Sequence, residues 1–141
     1  MYLRTMSKVF IGIGSNVGDR ALNCLSALER IRAINGATVV LVSSLYETEP
    51  WGMTGQPGFI NAAAEIETSL APHALFVSLK SIETAMGRVI TEKWGPRVVD
   101  LDILFYDDIV IEGPDLSIPH RFVHERAFVL VPLAEIAPRL I

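Results

Sequence analysis

The stretch "WGPRVVDLDILFY", residues 94–106, decides how this chain is read. Val, Leu, Ile, Phe and Tyr dominate it, as in a buried β-strand. Two aspartates, Asp100 and Asp102, interrupt the run, and Arg97 stands just before them. Charge inside an apolar strand is costly unless it is paired or holds a metal ion. On a strand the two carboxylates share one face, roughly 6.6 Å apart along the backbone, while Val99, Leu101 and Ile103 face the other side and can pack.

Working outward from this strand gives the element order. "SKVFIGIGS" (7–15) is short, apolar and β-branched and ends in Gly-Ser-Asn, as a strand does. A helix follows, with Leu25, Leu28 and Ile31 at helical spacing, Asp19 near its start and Asn35-Gly36 as its stop. "ATVVLVSSLY" (37–46) and "FINAAAEIET" (59–68) are two further strands. Pro72 opens a second helix, in which Leu75, Leu79, Ile82 and Met86 recur. Asp107-Asp108 turns the chain toward "IVIE" (109–112), expected to be a partner strand, and the tail is expected to form loop and short helices. The order is strand, helix, strand, strand, helix, strand. That predicts an α+β fold with a ferredoxin-like βαββαβ core and a mainly antiparallel sheet. Both sheet faces are apolar, so the C-terminal part should cover the face opposite the two helices.

The chain has 141 residues, half of them apolar, which suits a single domain over residues 1–141 with residues 1–7 as a flexible extension. Its net charge of −4 argues against a nucleic-acid partner. Cys24 is the lone cysteine, so no internal disulfide exists and a reducing, cytoplasmic setting is expected. The apolar run at the N-terminus is broken by Gly12, too short for a signal peptide or a membrane span.

Asp-x-Asp alone is short and common, and two exposed acids neutralised by arginines would explain it equally well. Its surroundings add weight. Mg²⁺ takes one or two carboxylates and lets substrate phosphates complete its octahedron. Arg88, Lys93 and Arg97 in the preceding loop suit phosphate oxygens, and Trp94 offers a flat surface for a heterocycle. Together these suggest a nucleotide site. "GIGSNVG" (12–18) has the wrong glycine spacing for a dinucleotide fingerprint and reads as a tight turn into the helix. His120 and His124 have the spacing of two ligands on one helical turn, but no third ligand accompanies them. Cys24 lies on an apolar helix face and reads as core.

The motifs together carry a resemblance. "IGIGSNVGD", "SSLYETEPWG", "QPGFINAA", "WGPRVVDLDILFY" and "IPHRFVHERAFVLVPLAEIAP" span nearly the whole chain in order. They resemble the 6-hydroxymethyl-7,8-dihydropterin pyrophosphokinase family of folate biosynthesis. The resemblance implies a three-layer α/β/α arrangement and transfer of pyrophosphate from ATP to the pterin hydroxymethyl group, releasing AMP. It implies that Asp100 and Asp102 bind two Mg²⁺ ions and that Arg88 and Arg97 are catalytic-loop arginines. It assigns the pterin to Thr48, Trp51, Phe59, Asn61, Trp94 and Phe128. It assigns ATP to Lys80, Glu83, Arg88, Trp94, Arg97, Ile103, Ser117, His120 and Arg126. Without it, Glu83 reads as a surface partner of Lys80, and Phe59 and Phe128 read as core. It further implies that loops 47–58 and 87–97 close over ATP. Many members have an arginine where this chain has Ile90. The expected state is a monomer or weak homodimer without nucleic-acid or membrane partners. The alternatives are another Mg²⁺-dependent phosphotransferase and a non-catalytic nucleotide-binding module.

Overall fold

A computed structural model describes residues 5–48, 58–87, 98–120 and 127–140, the side chains of 127 and 128 excepted. In chain order the elements are β1 (Ser7–Ser15), α1 (Arg20–Arg32), β2 (Ala37–Val42), β3 (Tyr46–Thr48) and β4 (Phe59–Thr68). Then come α2 (Pro72–Ala85), β5 (Asp100–Tyr106), β6 (Ile111–Glu112), β7 (Ser117–Ile118) and α3 (Ala127–Ile136). The main sheet runs β2–β4–β1–β5, with β3 also paired to β4, and every pairing is antiparallel. This is the expected α+β arrangement. No helix of the described residues is long and apolar enough to cross a membrane.

Alternation along the strands sorts the side chains onto two faces. Val9, Ile11, Ile13, Ala64, Ile66, Leu101 and Ile103 pack with Ala27, Leu28 and Ile31 of α1 and Leu75, Leu79 and Ile82 of α2. On the other face Phe10, Ala63 and Leu104 bury Leu133 of α3. The tail therefore supplies the missing cover through short helices, as expected: the ten-residue α3, followed by a 3-10 turn at Pro138–Leu140. Pro132 lies inside α3 and removes a backbone donor, but Leu133 is fully buried and holds the helix to the sheet.

Several expectations are corrected. The single strand over 37–46 is two, because the Ser44 amide turns away to the Glu135 carboxylate of α3 at 3.0 Å. Pairing resumes at Tyr46, opposite Asn61. "IVIE" does not extend the main sheet. Ile111 and Glu112 pair with Ser117 and Ile118 in a separate hairpin closed by Gly113 N–H on the Leu116 carbonyl at 3.1 Å. The outer edge of β5 is met by other groups, including His120 N–H on the Leu104 carbonyl at 3.0 Å. Leu25 is half exposed, and the buried stripe of α1 is Cys24, Ala27, Leu28 and Ile31. Ser7, expected in the extension, stands opposite Thr68 in β1, and residues 1–4 lie outside the described residues. Asp107 pins that strand end by accepting the Lys8 amide at 2.8 Å.

Candidate active site

Asp100 and Asp102 sit on β5, the edge strand of the sheet, and both are half-buried. Their partners on β1 are Gly14 and Gly12. Gly14 is in turn opposite Asn61 on β4, and Asn61 is opposite Tyr46 on β3. One row across the sheet is thus Asp100, Gly14, Asn61, Tyr46, all directed to the α3 face. Two strand spacings separate Asp100 from Asn61, about 10 Å at the backbone. Between them β1 contributes only glycine, so the floor is open.

The glycine is required there. A Cβ on Gly14 would stand 2.7 Å from Asn61 Oδ1, because the Asn61 carboxamide leans over the β1 backbone. Asn61 is buried, and among the described residues its Nδ2 is the buried side-chain polar atom without a hydrogen-bond partner. A buried orphan donor is costly in an empty protein and marks a place where a ligand acceptor belongs. Phe59 lies two residues before Asn61 on the same face, opposite Thr48.

The turn after β1 links this row to the chain on either side. Gly18, with φ +65°, and Asp19, whose Oδ1 accepts the Leu22 amide at 3.1 Å, start α1, as the tight-turn reading expected. Buried Ser15 donates to the Val98 carbonyl at 2.6 Å, just before β5, and Asn23 donates to both Ser15 Oγ and the Val17 carbonyl.

Beyond the outer edge of β5 is a cavity of about 300 Å³. Phe76 and Lys80 of α2, Leu101, Asp102 and Ile103 of β5, the segment 114–117 and His120 line it. Four of the expected ATP residues, Lys80, Ile103, Ser117 and His120, therefore meet in one place with Asp102, the expected metal ligand. His120 Nε2 is 3.9 Å from Asp102 Oδ1, so imidazole and carboxylate face the same space. Ile103 is buried as a side chain, but its backbone N–H and C=O point outward, as those of Leu101 do, since alternate residues of an antiparallel edge share orientation.

Glu83 pairs with Lys80 at i,i+3 as the local reading expected, but not on the surface. Its carboxylate is only 10% exposed, and it accepts the Leu101 amide at 2.7 Å as well as Lys80 Nζ at 3.0 Å. Lys80 Nζ also reaches the Leu101 carbonyl at 3.3 Å and lies 5.5 Å from the Phe76 ring centre. The pair does the work of a neighbouring strand for the residue between the two aspartates.

Trp51, Ile90, Arg88, Trp94, Arg97, His124 and Arg126, with the loops that carry most of them, lie outside the described residues. Phe128 begins the second residue of α3, and nothing of its side chain is described. Cys24 is 2% exposed, and burial pushes its thiol up to about 11, so it is core as expected.

Asp100 and Asp102 fit Mg²⁺ by donor chemistry. They are two hard oxygen donors on one face, with Asp102 at the cavity and His120 3.9 Å from it, and among the described residues no group of three or more His, Cys, Asp or Glu is placed to hold an ion. A site of that kind leaves coordination positions for phosphate oxygens.

Sequence reasoning passed over Gly12 and Gly14 as a pair, Arg20, and the Tyr46–Glu135 contact. The first had a signal: glycine at alternate positions of a strand marks a place where something else approaches the backbone.

Known proteins place the chain. A family model described as 7,8-dihydro-6-hydroxymethylpterin-pyrophosphokinase (HPPK) matches residues 10–138. A 2-amino-4-hydroxy-6-hydroxymethyldihydropteridine pyrophosphokinase of Methylorubrum extorquens is 51% identical over 136 residues, covering 96% of this chain and 86% of the relative. The enzyme of that name from Haemophilus influenzae is 41% identical, with 96% and 85% covered. The folic acid synthesis protein fol1 of Schizosaccharomyces pombe is 43% identical over 141 residues, but this chain spans only 19% of its length. A Plasmodium falciparum HPPK-DHPS crystal structure with SDX-DHP superposes with a TM-score of 0.76 at 16% identity. It covers 96% of this chain and 43% of that longer one, which shows the shared fold. The chain belongs to the 7,8-dihydro-6-hydroxymethylpterin-pyrophosphokinase family.

Proposed function

We propose that this chain transfers pyrophosphate from ATP to the hydroxymethyl group of 6-hydroxymethyl-7,8-dihydropterin, in folate biosynthesis, as a single domain. The observation that carries the reading is the position of Asp100 and Asp102 on the edge strand. Asp102 lines the cavity with Lys80, Ile103, Ser117 and His120, and Asp100 begins the row that crosses Gly14 to Asn61.

The pterin hydroxyl oxygen gives up its proton to solvent and forms a bond to the β-phosphorus of ATP, and the bond from that phosphorus to the α,β-bridging oxygen breaks, so AMP departs with the electron pair. The protein must place the two substrates and offset charge, since phosphoryl transfer asks little covalent chemistry of it. Asp100 and Asp102 would hold two Mg²⁺ ions, whose Lewis acidity, when bound, offsets the negative charge of the phosphates. The cavity is the adenosine side. Ile103 would present its outward backbone groups to the base edge, Ser117 lines the same cavity, and His120 Nε2 stands 3.9 Å from Asp102 Oδ1. Glu83 would act by holding Leu101, and with it the spacing of the two aspartates. On the other side Asn61 Nδ2 would donate to an acceptor of the pterin ring, relieving its orphan state, and Phe59 and Phe128 would bracket the flat ring. Arg88, Arg97, Trp94 and Arg126 would complete the phosphate side, and Trp51 the pterin side. A cytoplasmic enzyme agrees with the single buried thiol.

The test is a product assay. Protein, Mg²⁺, ATP and 6-hydroxymethyl-7,8-dihydropterin should give AMP and a pterin diphosphate in equal amounts, with no AMP when the pterin is left out. ADP as the nucleotide product would overturn pyrophosphoryl transfer.

A further inference from the structure

Arg20 is the first residue of α1, a position where a cation opposes the positive end of the helix dipole. Its guanidinium is directed to two places that are far apart in sequence. One nitrogen donates to the Gly58 carbonyl at 2.7 Å, and another meets Glu47 Oε1 at 2.8 Å. Glu47 immediately precedes Thr48, the last residue of β3, and Gly58 immediately precedes Phe59, the first of β4. Thr48 and Phe59 are the terminal pair of that ladder. Arg20 therefore grips both chains next to the pair assigned to the pterin.

β3 has only three residues, and such a short ladder is weakly held by its own pairing. The planar fork of arginine bonds both strands at once in a fixed geometry, whereas the compact ammonium of lysine does not preset the separation of two acceptors. The Arg20 side chain is 23% exposed and that of Glu47 66%, so the ion pair adds little global stability. Its consequence is local.

We propose that Arg20 is a positioning residue for the pterin end of the site. It fixes Thr48 and Phe59 relative to Asn61 by clamping Glu47 and Gly58. The inference rests on the pyrophosphokinase reading above. It concerns one substrate only, because the clamp lies across β1 and β4 from the cavity assigned to adenosine.

Steady-state kinetics with each substrate varied in turn test it, on wild type, Arg20→Ala and Arg20→Lys, with thermal midpoints measured alongside. Arg20→Ala should raise KM for the pterin by about tenfold, the equivalent of one charge-assisted hydrogen bond. KM for ATP should stay within about twofold of wild type, since ATP touches neither strand. Arg20→Lys should fall between the two proteins. Equal rises in both KM values, or an unchanged KM for the pterin with a lowered thermal midpoint, would make Arg20 a merely structural residue and overturn the proposal. Should Arg20→Ala fail to fold, Arg20→Lys carries the same comparison. Absence of turnover in the wild type would instead overturn the functional reading itself.

Discussion

Replacing Gly14 by alanine tests the arrangement of the site most directly. The new Cβ would lie 2.7 Å from Asn61 Oδ1, and 3.8 Å from Asn61 Cγ and Phe59 Cδ1. Carbon and carbonyl oxygen ordinarily stay roughly 3.3 Å or more apart, so the carboxamide must retreat by about half an ångström. Asn61 is buried, and overpacking at such a site costs about 1–3 kcal/mol. Gly14 does not adopt a left-handed backbone, so alanine also recovers about 0.4–1 kcal/mol from the stiffer unfolded chain. The net expectation is a loss of about 1–2 kcal/mol, or a thermal midpoint lower by about 3–8 °C in a chain of this size. Displacing Asn61 should also raise KM for the pterin. Gly12→Ala is the control, because its Cβ would meet the Leu104 side chain, at 3.3 Å from Cδ2, rather than Asn61. It should cost under about 1 kcal/mol. Adding Asn61→Ala to Gly14→Ala should restore the thermal midpoint without restoring pterin affinity, a coupling that a double-mutant cycle isolates. Calorimetry and pterin-varied kinetics give both quantities. Wild-type stability and KM in Gly14→Ala, or equal losses in Gly12→Ala, would refute the packing of Asn61 over β1.

Three further outcomes follow from the same structure. Asp102→Asn should lower kcat by about 10³-fold, some 4 kcal/mol of charge stabilisation, with the thermal midpoint at or above that of wild type; a kcat within tenfold of wild type would deny it a metal role. Glu135 accepts from the Tyr46 hydroxyl and the Ser44 amide, and these bonds, Tyr46 foremost, hold its carboxyl below the ordinary 4.5. A depressed carboxyl stabilises the fold above 4.5 and loses that contribution as pH falls through its folded value, so Glu135→Gln should melt below wild type at pH 7 and converge with it as pH falls below that folded value. Convergence at alkaline rather than acid pH would contradict that sign. Cys24, with its thiol raised to about 11 by burial, should resist an aromatic disulfide reagent at pH 8 in the native protein and react in denaturant; rapid native labelling would place it outside the core.

What the sequence determined by itself was whatever depends on local pattern. Strand alternation in "VVDLDILFY" put Asp100 and Asp102 on one face and Leu101 and Ile103 on the other, and the structure has them so. Spacings of four, three and four marked α2, and Pro72 its first residue. Apolar residues on both faces of the strands required a cover, which α3 supplies. The motif order also named the family, since separate short patterns in sequence are jointly specific where one Asp-x-Asp is not.

Tertiary structure alone decided what depends on neighbours distant in the chain. Leu25 and Cys24 are one residue apart, and only the angle at which α1 meets the sheet buries the cysteine and exposes the leucine. The break between β2 and β3 depends on Glu135, 91 residues beyond Ser44, capturing the Ser44 amide. Glu83 read locally as a surface partner of Lys80, but α2 lies against β5, and its carboxylate serves the Leu101 amide 18 residues on. Arg20 gave no functional signal because its partners, Glu47 and Gly58, come near it only after β4 has crossed beside β1. A hydrogen bond between segments far apart in sequence leaves no periodicity in either, so the pattern that reveals a strand or a helix cannot reveal the clamp between them.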